Sequence, residues 1–248
     1  MAIVLVTGAA GAIGTPVAAA LKAAGHDVRG FDLRAAEHVT HVGDLIDPAA
    51  VDAAVDGADA VVHLAAQPDE ADFVTELVPP NVIGLYRVFD ACQRLNVRKL
   101  AVASSIRVSG RPAGDGPVTA EGAAPRDLYA LTKLWAEDMA EMHARMQGFG
   151  VIAVRIGWLP RDAGGAAFLA SRNGQNAYLS HDDAGRFFTA AVAALLRGLD
   201  GYHVVHAMSR PYDEQARTDR EAARQLLGYE AQDRFPEGLG FPFDSASD

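Results

Sequence analysis

The 248-residue chain predicts an α/β fold, a Rossmann-type doubly wound parallel sheet with a small C-terminal region, and three observations predict it. Short apolar runs alternate with longer helical stretches, as in repeated βαβ units. Those runs are continuous rather than alternating, which marks strands covered on both faces. Glycines 8, 11 and 14 stand where the first strand hands over to the first helix, the place such folds reserve for a tight turn. In order, the expected strands are 3–6, 28–31, 60–63, 100–103, 151–155 and 202–206, with a further short strand before Gly43. The expected helices are 13–24, 48–55, 81–95, 128–147 and 182–199, with another near 218–227. Gly25, Gly148 and Gly150 read as helix stops, and Pro79-Pro80 reads as a break that forces a fresh start at Asn81. Residues 157–176 carry glycines and polar groups without periodicity, which suits a loop or lid. Ser180, three residues before Asp183, reads as a helix cap.

Bulk composition closes off several function classes. The formal net charge of −10, from 22 Lys and Arg against 32 Asp and Glu, is the opposite of what a phosphate-backbone binder carries, so nucleic acid is excluded as a main partner. No run approaches the roughly 20 apolar residues of a membrane span. Residues 2–6 lead straight into the glycine turn, so the start reads as a strand and not as a leader. A lone cysteine, Cys92, rules out an internal disulfide framework, suits a cytoplasmic setting, and sits in a helical stretch as an expected inert thiol. No His, Cys, Asp or Glu cluster has metal-ligand spacing. The length suffices for a full core, read as residues 1–155 plus a short region 156–248 packed on it as one structural domain.

The glycine turn implies a dinucleotide. Gly8, Gly11 and Gly14 let the backbone approach a pyrophosphate that the helix N-terminus attracts. Asp32 follows Gly14 by 18 residues at the end of the second strand, where a carboxylate accepts from ribose hydroxyls and repels a 2′-phosphate, favouring NAD over NADP. Arg29 and Arg34 nearby soften that preference. Asp44 is expected near the adenine amino group, and Leu64, Ala65 and Ala66 at a strand end where a backbone passes close to the cofactor. His63 reads as a packed strand-end histidine.

Tyr129 and Lys133 lie four apart, on one face of an expected helix. An ammonium one turn from a phenol stabilises the phenolate and makes a base of a group whose pKa is otherwise about 10. With Ser105 to hold a reacting oxygen, the trio suits proton abstraction from a hydroxyl. The pattern Tyr-x-x-x-Lys is weak alone; joined to the glycine turn and the Ser104-Ser105 pair it is specific.

Together these residues resemble the extended short-chain dehydrogenase/reductase family, the NAD-dependent epimerase/dehydratase group, and within it the chain looks most like the uronate dehydrogenases. The resemblance rests on residues 7–14, Asp32, 43–45, 63–66, 81–84, Ser104-Ser105, 129–133, Arg155, the run 154–157 and the run 180–183. It implies an NAD-dependent oxidation of a hydroxyl on a small sugar or sugar acid, with Ser105, Tyr129 and Lys133 catalytic. The implied cofactor set is Gly8, Gly11, Ala12, Ile13, Gly14, Asp32, Asp44, Leu45, Leu64, Ala65, Ala66, Asn81, Ser104, Tyr129, Lys133 and Ile156. The implied substrate set is Gln67, Ser105, Ile106, Arg107, Tyr129 and Arg172, with Arg107 and Arg172 as candidate carboxylate grips and Arg155 and Arg161 as alternatives. Asn81 is expected to fix the backbone or a water near the lysine, and His181 to border the pocket. Where the uronate enzymes carry Asn-His after the serine pair, this chain has Ile106-Arg107, and its segment 160–179 is longer than theirs. The family pairs its helices into dimers, so a homo-oligomer is expected. An epimerase or dehydratase that returns its hydride, and a dinucleotide-sensing regulator, remain as alternatives.

Overall fold

The strands β1 (Ile3–Thr7), β2 (Asp27–Asp32), β3 (His41–Val42), β4 (Ala60–His63), β5 (Lys99–Ser105), β6 (Gly150–Ile156) and β7 (Gly201–Ala207) form one parallel sheet in the computed structural model. It describes residues 1–109, 118, 122–214 and 218–243. The strand order is β3-β2-β1-β4-β5-β6-β7. The chain therefore builds outward from β1 in one direction, then returns to β1's other side at β4. A crevice opens at the carboxyl ends where that reversal occurs. Thr7 and His63 are register partners there, and their side chains share a 2.8 Å hydrogen bond that closes the floor of the switch point.

Helices cover both faces. On one side lie α1 (Gly14–Ala23), α6 (His181–Leu196) and α7 (Glu221–Leu227), burying Val17, Leu21, Phe187, Phe188 and Leu195 against β1, β5 and β6. On the other lie α2 (Pro48–Val55), α3 (Leu85–Arg94) and α4 (Leu128–Gln147), with Val51, Phe89, Ala140 and Phe149 against Leu5, Val61 and Leu100. Two-faced burial is why the strands read as continuous apolar runs. The seventh strand comes from beyond residue 155 and takes its place beside β6 in full register, Gly150 against Gly201 through Ile156 against Ala207.

Three expectations need correction. Pro79-Pro80 does not end a segment: wide five-residue-spaced turns cover Phe73–Leu77 and Pro79–Gly84 and run directly into α3, with Val78 helical at φ −60°, ψ −44°. Two prolines remove adjacent N–H donors, and a widened turn absorbs the missing bonds without leaving the helical path. Gly25 and Gly148 end helices with positive φ, but Gly150 opens β6, where a side chain would run into the Leu199 carbonyl. The stretch 157–176 is not all loop, for it contains α5 (Ala163–Ser171), capped by the Asp162 carboxylate accepting from Gly165 N at 2.7 Å. Ser180 caps α6 as expected, its hydroxyl accepting from Asp183 N at 2.8 Å.

Candidate active site

The glycine turn leaves β1 and enters α1 at the switch point. Gly8 has φ +74°, and a Cβ there would lie 2.8 Å from Ala65 N. A Cβ on Gly14 would collide with the Gly8 carbonyl. The turn is thus so tight that β1, α1 and the strand end 64–65 meet with no room for side chains. Asp32 braces it: one carboxylate oxygen accepts from Ala10 N at 3.0 Å and the other from Arg34 N at 3.1 Å. Each oxygen keeps a second lone pair, so both can still accept from a sugar hydroxyl.

A cleft of about 820 Å³ opens beside this turn. Its lining brings together Gly8, Gly11, Ala12, Ile13 and Gly14 from the turn, Leu64 and Ala66 after β4, Ser104, Ser105, Ile106 and Arg107 at the end of β5, Tyr129 and Lys133 on α4, and Ile156 on β6. Asp32, Asp44, Leu45, Ala65, Gln67, Asn81 and Arg172 do not line it. Asp44 is exposed and accepts from Ile46 N, while Leu45 is core, packed so closely on Gly84 that a Cβ there would lie 2.7 Å away. Arg172 ends α5 with its guanidinium 5.1 Å from the Phe168 ring centroid. Asn81 acts on backbone: it accepts from Gln67 N (2.8 Å) and donates to Gln67 O (3.1 Å) and to Thr132 Oγ1 (3.1 Å), tying the loop after β4 to α4. His181 packs edge-on against Phe241 and accepts from Gly240 N, away from the cleft lining.

Asp127 caps α4 by accepting from Ala130 N at 2.7 Å and so fixes the first turn that carries Tyr129. One turn on, the buried Lys133 ammonium donates to the Ala103 carbonyl at 3.2 Å and lies 5.8 Å from the Tyr129 ring centroid. Burial lowers Lys133 to about 8. Burial, with Lys133 nearby, also takes His63 down to about 3, so it is a neutral strand-end group bonded to Thr7. The Tyr129 phenol is held above its ordinary value by burial first and by Asp69 second; a hydrogen bond with Ser105, then Arg107 and Arg161, pull it down. Lys133, expected from the sequence to draw the phenol down together with the nicotinamide ring, turns its ammonium to the Ala103 carbonyl.

Ser104 and Ser105 have separate tasks. Ser105 Oγ faces the cleft and accepts from Arg107 N at 3.2 Å. Ser104 also reaches the lining, but its hydroxyl donates to Glu137 Oε1 at 2.5 Å. Glu137 in turn receives two bonds of 2.9 Å from Arg155, and all three residues are buried. Arg155 is a structural arginine that also donates to Ser109 and to the Gly122 carbonyl.

The sequence placed a loop or lid at 157–176 but named only Arg161 of the outer wall, where Pro68, Asp69, Trp158, Leu159, Pro160, Asp162, Gly165 and Phe168 line the cleft together with Arg161. The available signal was Asp162 as an N-cap ahead of an alanine-rich run, which places a helix, and therefore a wall, after β6. Among the described residues no group of His, Cys, Asp and Glu is arranged to hold a metal, and no helix is long and apolar enough to cross a membrane.

The NAD dependent epimerase/dehydratase family matches residues 4–159. A uronate dehydrogenase of Pseudomonas putida is 31% identical over 62% of this chain and 59% of its own length. An L-arabinose 1-dehydrogenase (NAD(P)(+)) of Haloferax volcanii is 33% identical over 64% of this chain and 68% of its own. Among solved structures, a mutant uronate dehydrogenase of Agrobacterium tumefaciens complexed with NAD superposes with a TM-score of 0.77 at 26% identity, covering 94% of this chain and 85% of that one.

Proposed function

The chain belongs to the NAD dependent epimerase/dehydratase family, and from that premise we propose that it is an NAD-dependent dehydrogenase oxidising a hydroxyl of a small sugar or sugar acid. The observation that carries the reading is the meeting of Ser105, Tyr129 and Lys133 in one cleft with the Gly8–Gly14 turn. The residues fit NAD: the turn, with no side chain at Gly8, Gly11 or Gly14, would take the pyrophosphate, the Asp32 carboxylate has acceptor capacity for ribose hydroxyls, and Lys133 lies in the same lining for the second ribose. When bound, NAD would supply the hydride acceptor and the positive charge of its nicotinamide ring.

Tyr129, once ionised as nearby positive charge offsets its burial, accepts the substrate's hydroxyl proton as the C–H bond breaks, leaving a carbonyl. Ser105 holds the reacting oxygen at the phenol, and its own position is fixed by the bond from Arg107 N. Lys133 contributes positive charge one turn below, in a site whose burial strengthens each charge's effect. Residues 1–155 would carry most of the cofactor, and the segment from Trp158 to Phe168 would share the substrate-facing wall with Pro68, Asp69 and Arg107. Exposed Tyr86, Trp135 and Met142 on α3 and α4 support assembly into a homo-oligomer, and the buried, unpaired Cys92 supports a cytoplasmic setting.

The test is NADH formation from NAD over a panel of aldoses and uronates, repeated with Tyr129→Phe. The variant should lose about 10²–10⁴ in kcat while its NAD affinity, read by fluorescence titration, stays within about twofold. Turnover undiminished in the variant overturns the assignment of the base. Tight NAD binding without net NADH points instead to an epimerase or a sensor.

A further inference from the structure

The substrate end of the cleft is the part least like a carboxylate site. Beyond Ser105 and Tyr129 part of its wall is aromatic and apolar, with the Trp158 and Phe168 rings 5.5 Å apart, both partly exposed, beside Leu159 and Pro160. Two guanidinium groups also line it, and each is already engaged. Arg107 donates to Glu70 and to Asp127, both at 2.7 Å, while its head lies 5.3 Å from the Tyr129 ring centroid. Arg161 donates to Asp69 at 2.7 Å. Two cations therefore meet three carboxylates, and Asp69 itself faces the cleft.

An incoming carboxylate or phosphate would have to share an arginine with an acid already on it. Two like charges 4 Å apart repel by about 1 kcal/mol even in bulk water and by more in a partly enclosed cleft. Asp69 is also felt at the reacting end, since it raises the Tyr129 phenol. An uncharged ring meets no such opposition, and its C–H face has an apolar surface to cover at Trp158 and Phe168.

We propose that the substrate is an uncharged aldose whose C–H face packs on Trp158 and Phe168, and that Asp69, Glu70 and Asp127 exclude uronates and sugar phosphates. The inference rests on the dehydrogenase reading and leaves its redox step unchanged: the aldose loses a hydride to NAD and a proton to Tyr129.

The experiment compares initial NADH rates for matched sets in the galacto and gluco series, each as free aldose, uronate and 6-phosphate. The aldose should exceed its matched uronate in kcat/KM by about tenfold or more. Asp69→Asn should narrow that ratio by about fivefold to tenfold, as expected from removing one like charge. Should the variant fold poorly, added salt serves in its place, lowering KM for the uronate while leaving the aldose unmoved. A uronate that matches or outruns its aldose overturns the proposal and spares the dehydrogenase reading. No NADH from any sugar, with NAD bound normally, overturns that reading and the proposal with it.

Discussion

Replacing Glu137 tests how β5, which ends at the proposed site, is held. Its carboxylate receives three side-chain hydrogen bonds, one from Ser104 at 2.5 Å and two from Arg155 at 2.9 Å, with the ion pair's side chains 2% and 5% exposed. Glu137→Gln keeps the volume but removes the charge and presents an amide N–H₂ to a donor. Removing one partner of a buried ion pair costs about 3–5 kcal/mol, because the other charge stays buried. At about 2–4 °C per kcal/mol for a chain of this length, Tm should fall by roughly 6–20 °C. Arg155→Met should cost a comparable amount. The double variant Glu137→Gln with Arg155→Met, which removes both charges, should be more stable than either single replacement. Urea unfolding of the four proteins gives the coupling energy directly. Ser104 adjoins Ser105 on β5, so the single variants should also lose kcat beyond what their folded fraction explains. Single losses below about 1 kcal/mol, or strict additivity in the double variant, would refute the argument that this buried pair holds β5 against α4 and β6.

Two further predictions concern the cleft. Lys133, lowered to about 8 by burial, binds its proton less tightly folded than unfolded. Below pH 8 both states hold the proton and the buried charge carries its full cost; between 8 and about 10.5 only the unfolded state does, so this group's contribution to stability rises with pH. Lys133→Met should thus be more stable than the parent at pH 7, by an amount on the order of 1–3 kcal/mol, with the gap closing by pH 10 in urea titrations. Gly14→Ala should weaken NAD binding by at least about tenfold and lower Tm, because its Cβ meets the Gly8 carbonyl; calorimetric NAD titration checks it, and binding unchanged would show that the turn has room to give.

The strands were legible because both their faces are buried, so the apolar runs at 60–63 and 151–155 carry the signal unbroken. Local rules failed where a bond pattern could widen. Pro79-Pro80 predicts a stop only if every turn must keep its i→i−4 bond, and the wide turns from Phe73 to Gly84 escape that condition. Helix α5 was hidden by Gly164 and Gly165 in its first turn, which lower helix propensity and interrupt the apolar pattern. Its burial of Ala166 and Leu169 against Tyr178 and Phe235 is a tertiary gain that no window of sequence displays.

The same distinction separates the two ends of the site. Residues that act through backbone geometry or local spacing, such as Gly8, Gly14, Tyr129 and Lys133, declare themselves because their constraint lies within a few neighbours. Residues that act across the cleft do not: Asp69 and Arg161 are 92 positions apart, and Arg107 meets Glu70 from 37 positions away. An arginine's identity says only that a cation is available, and whether that cation can take a substrate anion depends on which acids the fold has already laid against it. Arg107 already meets Glu70 and Asp127, and Arg161 already meets Asp69, so how far either cation is open to a substrate anion is set by contacts that no local window of sequence displays.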